Sequence, residues 1–143
     1  MTLRFDLGPF EELHIGKCVI KNSHEHSLFV IEGKMPILKG KDVLPEATVQ
    51  SSLEGLYHCI QQMYLEEASE KYQGRYLQLV AQSMREDPLL SADLQAVDQL
   101  AKAGDFYKAL KCLKKFVRAE AFSAQKSPSQ TYIPRVNGWK RAR

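Results

Sequence analysis

The sequence predicts an α+β fold, in which an N-terminal antiparallel β module of about five strands is followed by a four-helix α-helical region. The main observation is a change of period, because apolar residues recur every second position up to about residue 44 and every 3.6 positions from Pro45 onward. A chain of 143 residues is also long enough to fold on its own. We expect a small β module over residues 1–45, a helical region packed on it over residues 46–122, and a flexible basic tail over residues 123–143.

Five short runs near the N-terminus have the composition of strands. In the first run, Leu3, Phe5 and Leu7 alternate with polar residues, and Gly8-Pro9 ends it. Gly16, an Asn-Ser pair and a Glu-Gly pair separate the later runs. The predicted strands are residues 2–7, Glu12–Ile15, Lys17–Lys21, Ser27–Ile31 and Met35–Leu38.

The stretch CVIKNSHEHSLFVIEG, residues 18–33, raises the question of a metal site, because a cysteine lies near two histidines spaced His-x-His. We interpret it as a β-hairpin between the third and fourth strands. A turn of two or four residues would point Cys18 away from both His24 and His26, and only an odd-length turn or a bulge would bring the three together. No CxxC pair or third nearby histidine completes a ligand set. The stretch therefore predicts a hairpin and no metal site.

The predicted hairpin is apolar on both faces. Its two faces are formed by Cys18, Ile20, Phe29 and Ile31 on one side and Val19, Leu28 and Val30 on the other. Such a sheet needs cover on both sides, from helices, by closing into a small barrel, or by pairing with a second subunit. A homodimer is therefore one of three ways to cover the two apolar faces of this hairpin.

Three amphipathic stretches follow the β module. The first has the pattern of a capping box at residues 51–54 and an apolar stripe that continues to about Glu66. The second runs from about residue 69 to residue 86. Asp87-Pro88 is predicted to open the third helix, as an N-cap followed by proline, and Gly104 to end it. The short connection after Gly104 predicts that the third and fourth helices are antiparallel.

The fourth helix, predicted from Asp105 in the stretch DFYKALKCLKKFVRAEA, has an apolar face and a basic face. At 100° per residue, the apolar set that groups around one direction is Phe106, Ala109, Leu110, Leu113, Phe116 and Val117. The basic ridge on the nearly opposite side is Lys108, Lys111, Lys114, Lys115 and Arg118. Lysines that only keep the helix surface solvated and a surface that binds a polyanion both explain this ridge.

The net charge of +3 conceals an uneven distribution. Residues 1–107 contain 10 basic and 16 acidic residues, whereas residues 108–143 contain 10 basic residues and one acidic residue. The basic tail also carries Tyr132 and Trp139, which are available for stacking. The last quarter of the chain is therefore expected to be attracted to polyanions such as RNA, DNA, an anionic membrane or an acidic protein surface.

The remaining sequence features indicate a cytosolic protein that is not an enzyme. The chain has no apolar run long enough to span a membrane and no signal-peptide pattern, and its three cysteines are odd in number and far apart. No phosphate loop, GxSxG elbow, HExxH helix or calcium loop occurs. His58 and Cys59 point about 100° apart on a helix, so they do not predict a nucleophile and base pair. We expect no cofactor and no metal.

Five blocks of sequence carry a resemblance to a known family. In order, these blocks are IGKCVIKNS, LFVIEGKMPILKGKDVL, GLYHCIQQMYLEE, KYQGRYLQLV and GDFYKALK. Through them, roughly residues 3–120 resemble the flagellum biosynthesis repressor family FlbT, whereas the basic tail is not part of the pattern.

The resemblance implies a cytosolic post-transcriptional regulator that associates with the 5′ untranslated region of flagellin mRNA. Such a regulator represses translation or promotes decay of the message, although some members of the family act positively. The family is also tied to flagellin and to the small flagellar protein FlaF. A protein-interaction module that binds flagellin or FlaF, and couples flagellar assembly to flagellin synthesis, is therefore the alternative.

Two basic groups are the candidate RNA-binding residues, although the resemblance transfers no residue-level site. The candidates are Lys34, Lys39 and Lys41 in the β module, and Lys108, Lys111, Lys115 and Arg118 on the fourth helix. Lysines would neutralise phosphates, and unpaired bases of the leader would supply specificity, since double-stranded RNA hides its base edges. The expected partners are the flagellin mRNA leader, flagellin or FlaF, and a second copy of the chain, but no membrane.

Overall fold

The computed structural model of the protein describes residues 2–125. Five strands precede four α-helices, which confirms the predicted α+β class. The strands are β1 (Thr2–Leu7), β2 (Glu12–Ile15), β3 (Cys18–Lys21), β4 (Ser27–Glu32) and β5 (Ile37–Lys39). The helices are α1 (Ser52–Glu66), α2 (Ser69–Glu86), α3 (Ser91–Lys102) and α4 (Phe106–Gln125). Helix α4 continues past residue 122, and the rest of the predicted basic tail, residues 126–143 with Tyr132 and Trp139, lies outside the described residues.

The strands pair differently from the predicted hairpin between the third and fourth strands. β1 pairs antiparallel with β4, while β2 lies between β3 and β5 in a separate antiparallel sheet. The hairpin is formed by β2 and β3, because Gly16 and Lys17 connect the paired residues Ile15 and Cys18 in a tight turn. Gly16 has a φ of 56°, which glycine adopts without the steric cost of a Cβ. The predicted β3–β4 hairpin is therefore wrong.

The side chain of Asn22 fixes the crossing from β3 to β4. It is buried, and its amide nitrogen lies within hydrogen-bond distance of the carbonyl oxygens of Leu7 (3.2 Å), Gly8 (2.8 Å) and Glu25 (2.7 Å). Its amide oxygen accepts a hydrogen bond from the Ser27 hydroxyl (3.2 Å). A residue predicted only as part of a turn therefore ties the end of β1 to the start of β4.

The β1–β4 pair, called the ribbon below, covers one face of the three-stranded sheet. Leu7, Leu13 and Ile37 form the buried centre between the two layers. The partly buried residues that pack around this centre are Phe5, Ile15, Ile20, Phe29 and Ile31. The ribbon therefore provides part of the cover that the apolar strands were expected to need.

Not every residue assigned to a face of the predicted hairpin lies where the prediction placed it. Ile20, Phe29 and Ile31 face the centre of the β module, but Cys18 is exposed. Leu28 and Val30 are 60% and 54% exposed. The outer face of the ribbon is therefore open to solvent, and on it the apolar Leu28 and Val30 lie opposite the charged Asp6 and Arg4 of β1.

Strand β5 connects the β module to the helical core. Ile37 packs in the β centre, whereas the next residue, Leu38, is buried in the helical core. Successive side chains of a strand point to opposite faces, so one strand serves both cores. The Tyr64 hydroxyl on α1 accepts a hydrogen bond from the Ile37 N–H (3.0 Å) and lies 3.3 Å from the Ile37 carbonyl oxygen. Helix α1 therefore fixes the position of β5.

Helices α1 and α4 begin at their predicted N-cap residues, whereas α3 does not. The Ser51 hydroxyl accepts a hydrogen bond from the Glu54 N–H (3.2 Å), which confirms the N-cap of α1. In α4, Asp105 accepts from the Lys108 N–H (3.4 Å) as predicted for a cap. The side chain of Asp87 makes no capping hydrogen bond, and a 3-10 turn over Pro88–Leu90 precedes α3. The third helix therefore begins later than predicted.

Replacing Asn22 with alanine is expected to lower the free energy of unfolding by about 2–3 kcal/mol, because buried carbonyl groups would lose their donor. Urea denaturation followed by circular dichroism measures the change. The control Ser23→Ala alters the neighbouring exposed side chain and should stay within about 0.5 kcal/mol of the parent chain. Equal destabilisation of the two variants would contradict the role of Asn22.

Candidate nucleic-acid interface

Gly40 allows the connection after β5 to lie close to β2. A Cβ at this position would come within 3.1 Å of the Glu12 carbonyl oxygen, so a larger residue would push the connection outward. Gly40 opens a single 3-10 turn that ends at Asp42. The Gln61 side chain of α1 then brackets Leu44, because its Oε1 accepts from the Leu44 N–H (2.7 Å) and its Nε2 donates to the Leu44 carbonyl (3.1 Å). The turn is therefore held against both β2 and α1.

Asp42 is the centre of an ionic contact between this turn and α4. Lys114 Nζ donates a hydrogen bond to Asp42 Oδ1, and Lys111 Nζ lies 3.7 Å from Asp42 Oδ2. The Asp42 side chain is 9% exposed and that of Lys114 is 18% exposed, whereas Lys111 is 49% exposed. The Tyr57 hydroxyl of α1 donates to the Asp42 carbonyl oxygen (2.5 Å). Asp42, Tyr57, Lys111 and Lys114 are called the Asp42 cluster below.

The lysines keep the Asp42 carboxylate ionised. Burial alone would raise the pKa of Asp42, but the hydrogen bond and charge of Lys114, followed by the charges of Lys111 and Lys41, hold it below its ordinary value of 3.8. Burial, and then the charge of Asp42, raise the pKa of Tyr57 to about 12, so its hydroxyl remains a donor at neutral pH. Since two lysines contact one carboxylate, the cluster carries a net positive charge.

The basic ridge predicted on α4 is partly engaged within the protein. Lys114 is directed toward Asp42 and mostly buried, so it is not part of an exposed ridge. Lys108 is exposed, and its Nζ lies 3.7 Å from Oδ2 of the cap residue Asp105. The helical wheel placed Lys114 on the solvent side because it describes α4 alone and contains no information about the turn that packs against it.

Lys115 and Arg118 are the cations of this ridge that remain available. Both are exposed, and neither forms an ion pair within residues 2–125. Arg118 is near enough to the Asp42 cluster for its charge to oppose the upward shift in the pKa of Tyr57. Lys111 Nζ also lies 5.3 Å from the centroid of the Tyr107 ring, which gives this end of the surface an exposed aromatic side chain.

The candidate lysines of the β module lie in different surroundings. Lys41 is exposed and near enough to Asp42 for its charge to lower the pKa of that residue. Lys39 and Lys41 line a cavity of about 420 Å³ that they share with the carboxylates of Asp6, Glu11 and Glu12. Lys41 therefore lies near both the Asp42 cluster and these carboxylates, whereas Lys39 lies near the carboxylates alone.

Lys34 lines another cleft, of about 460 Å³, between the segment before β5 and the helices. Met35, Tyr64 and Phe106 also line it. The seven candidate cations therefore do not form one group, and the structure connects Lys41 with Lys111 and Arg118 through the Asp42 cluster.

The cysteine and histidines of residues 18–33 do not lie together in the structure. Cys18 is exposed at the start of β3, where it pairs with Ile15. His26 Nε2 lies 2.5 Å from Asp6 Oδ1, across the end of the ribbon. In the described part of the chain, no three His, Cys, Asp or Glu side chains are arranged to hold a metal ion.

The His58-Cys59 pair has the properties of packed side chains. Burial raises the pKa of the Cys59 thiol to about 11, and its Sγ lies 3.7 Å from the Tyr72 carbonyl oxygen. A thiol with this pKa is protonated at neutral pH and is a poor nucleophile. Burial also lowers the pKa of His58, which is only partly exposed.

Sequence reasoning missed Asp42, Tyr57 and the buried role of Lys114. One signal was present, because Asp42 is the only acidic residue between Glu32 and Glu46 and directly follows a stretch with three lysines. An isolated acid in a basic stretch indicates a specific ion pair, but its partner is 72 residues away in the sequence.

A family model described as flagellar protein FlbT matches residues 3–122. The chain belongs to the FlbT family. The match covers nearly all of the five strands and four described helices, including every residue of the Asp42 cluster. No solved structure gives a significant match to the chain.

Curated relatives carry the same family name. A probable flagellum biosynthesis repressor protein FlbT from Rhodopseudomonas palustris (strain TIE-1) is 35% identical over 120 residues, which cover 84% of this chain and 95% of the relative. A relative with a similar name from Bradyrhizobium diazoefficiens is 29% identical over 121 residues, covering 84% of this chain and 83% of the relative. The flagellum biosynthesis repressor protein FlbT of Caulobacter vibrioides (strain ATCC 19089) is 25% identical over 123 residues, covering 84% of this chain and 87% of the relative.

Asp42→Asn is expected to lower the free energy of unfolding by about 2 kcal/mol at neutral pH, because Lys114 and Lys111 would keep their charges without a counter-ion. The difference in free energy of unfolding between the parent and variant chains should become smaller in acid. Since the folded protein lowers the pKa of Asp42, its contribution is fully present above the ordinary value of 3.8 and is lost as the pH falls through the folded pKa.

Urea unfolding of the parent and variant chains between neutral pH and strong acid measures this dependence. Asp93→Asn on α3 is the matched control, because Asp93 is exposed and the charge change is the same. The control should remain close to the parent throughout. A difference for Asp42→Asn that does not vary with pH would contradict the ionic role of Asp42.

Proposed function

We propose that the chain regulates flagellin synthesis after transcription, by binding the 5′ untranslated region of flagellin mRNA and repressing translation or promoting decay. The observation that carries the proposal is the Asp42 cluster, which joins Lys41 of the β module to the basic residues of α4. Family membership and the names of the relatives support a regulatory role in flagellum biosynthesis. Those names describe a repressor rather than an enzyme.

The cations differ in how readily they can contact phosphate. Lys114 is fixed by Asp42 in a mostly buried position, so moving it to a ligand would leave a buried carboxylate without its partner. Lys115, Arg118 and Lys41 are exposed and have no such constraint within the described residues. We assign the phosphate contacts to these three residues and a positioning role to Lys114.

The favoured ligand is an unpaired segment of the leader. Cations on a convex helix surface neutralise phosphates without distinguishing sequences. Specificity must come from bases, which are accessible in single strands but hidden in an RNA duplex. A protein bound to an unpaired leader would occupy the segment that ribosomes or nucleases use, which connects binding to repression or decay.

Charge reversal at the exposed cations should weaken binding to the leader. The double variant Lys115→Glu/Arg118→Glu is expected to lose at least about tenfold in affinity, and the slope of log K against log salt should decrease by about 0.7 for each phosphate that the variant no longer neutralises. Fluorescence anisotropy with a labelled flagellin leader, over a series of salt concentrations, measures both quantities.

The double variant Lys17→Glu/Arg85→Glu is the matched control. It changes one lysine and one arginine, both exposed, and gives the same net charge, but lies on the β2–β3 turn and on α2. Equal losses in the two double variants would remove the site assignment, because net charge alone would then explain them. A parent chain that does not bind the leader would remove the proposed function.

A protein-interaction module that binds flagellin or FlaF is the second candidate function. The observation that favours it is exposed apolar surface on the helical region, where Leu77 is 52% exposed and Leu89 is 91% exposed. Exposed apolar side chains such as these can anchor a protein partner when it buries them. In this case the effect on flagellin mRNA would be indirect.

Leu77→Lys separates the two candidate functions. If the helical region binds flagellin or FlaF through α2, this variant should weaken that binding at high salt, whereas the neighbouring exposed substitution Gln78→Lys should not. Pull-down at low and high salt measures the effect. Intact partner binding by Leu77→Lys, together with persistent leader binding, would argue against this alternative.

A further inference from the structure

Strand β4 presents an open edge. On one side its backbone pairs with β1 over six residues. On the other side it forms no backbone hydrogen bond with any residue of the described chain. An open edge presents a row of free donors and acceptors that another strand can pair with.

The edge of β4 lacks the features that protect the other open edges. Its four central residues, Leu28 to Ile31, are all apolar and contain neither a charge nor a proline. By contrast, β1 carries Arg4 and Asp6 within the strand, and β3 has only four residues. Charged side chains and short length are the usual means by which soluble proteins prevent pairing at an edge. Their absence from β4 marks this strand as a pairing site.

The side chains of β4 favour a partner strand of the same composition. Leu28 and Val30 lie on the outer face and are more than half exposed, whereas Phe29 and Ile31 lie on the inner face and are only partly buried by the β centre. Neighbouring side chains on a sheet face stabilise each other most when both are apolar. A partner strand that is apolar on both faces would cover both sets.

We propose that a second copy of this chain pairs with β4, edge to edge and antiparallel, so that the two ribbons form one four-stranded sheet. The two-fold axis is perpendicular to the sheet and passes beside Phe29. Leu28 then lies opposite Val30 of the partner subunit, and the imidazole of His26 lies opposite the carboxylate of Glu32 of the partner subunit.

The composition of β4 selects this register. A two-fold axis perpendicular to the sheet keeps each face on the same side, so paired residues must have the same parity. Moving the axis to Val30 would place Leu28 opposite the carboxylate of Glu32. Moving it to Leu28 would pair Val30 with His26 and leave Glu32 beyond the strand. The axis at Phe29 pairs Leu28 with Val30 and Phe29 with its own copy, and it places no apolar residue of β4 opposite a charged one. It sets Ser27 opposite Ile31, and His26, whose Nε2 contacts Asp6 of its own chain, opposite Glu32.

Light scattering of the full chain over a series of concentrations tests the proposal. The parent chain should approach twice the mass of one chain. Val30→Lys should raise the dimer dissociation constant at least about tenfold, equivalent to 1.4 kcal/mol, because each interface contains the substitution twice. Val19→Lys is the matched control, since Val19 and Val30 are 52% and 54% exposed on different strands. The control should remain within about twofold of the parent.

Disulfide trapping tests the register without relying on a destabilised variant. In a Cys18→Ser background, Leu28→Cys/Val30→Cys should give a covalent dimer on mild oxidation, through residue 28 of one copy and residue 30 of the other. Residues two apart on one strand are about 6.8 Å apart, at the limit for a disulfide within one chain. Lys17→Cys/Val19→Cys in the same background is the matched control and should remain monomeric on a non-reducing gel.

Several outcomes would overturn the proposal. A parent chain that stays monomeric at every concentration, or a dimer that Val30→Lys and Val19→Lys weaken equally, would exclude the β4 interface. Equal trapping of the two cysteine pairs would do the same. A chain that is monomeric alone but pairs β4 with flagellin or FlaF would also contradict self-association. None of these outcomes affects leader binding by Lys115 and Arg118, so the two proposals fail separately.

Discussion

The buried carboxylate of Asp42 is the interaction on which the arrangement of the β module and α4 depends. Removing a carboxylate from water costs several kcal/mol unless charges and hydrogen bonds replace the lost hydration. Lys114 and Lys111 supply that replacement, and both belong to α4, whereas Asp42 follows β5. The cost is therefore offset chiefly by contacts that α4 makes in its docked position. Apolar burial stabilises the fold, and the ion pair specifies how its parts meet.

This ion pair gives the basic residues of α4 two different tasks. Lys114 is mostly buried against Asp42, whereas Lys111 reaches the same carboxylate from the exposed edge of the packed face, and the long apolar stems of both lysines make this possible. Lys115 and Arg118 remain in solvent. The basic ridge of α4 was expected to be uniformly exposed, but Asp42 draws two of its lysines into ion pairs. Fewer free cations remain than the charge of the sequence suggests, but they belong to a helix whose position is fixed.

The sequence predicted element bounds that depend on neighbouring residues. It did not predict the strand pairing or the ion pair, which depend on residues far apart in the chain. The bounds of β2 and α2 agree with prediction, because alternation and the 3.6 period are local properties. Strand pairing was wrong because the chain can reverse either at Gly16 or after β3, and the choice depends on Asn22, which bonds a carbonyl 15 residues earlier. The ion pair between Asp42 and Lys114 joins residues 72 apart, so no local pattern contained it.

The β4 edge and the α4 surface are chemically unlike, which allows one chain to combine two kinds of contact. If two copies join through β4, each particle carries the exposed cations twice. Binding of a leader at one copy then raises its effective concentration at the other, provided that the RNA can span both. The gain would depend on RNA length, because a short segment reaches one surface only. If dimerisation through β4 strengthens RNA binding by α4, the affinity should therefore rise with the length of the RNA.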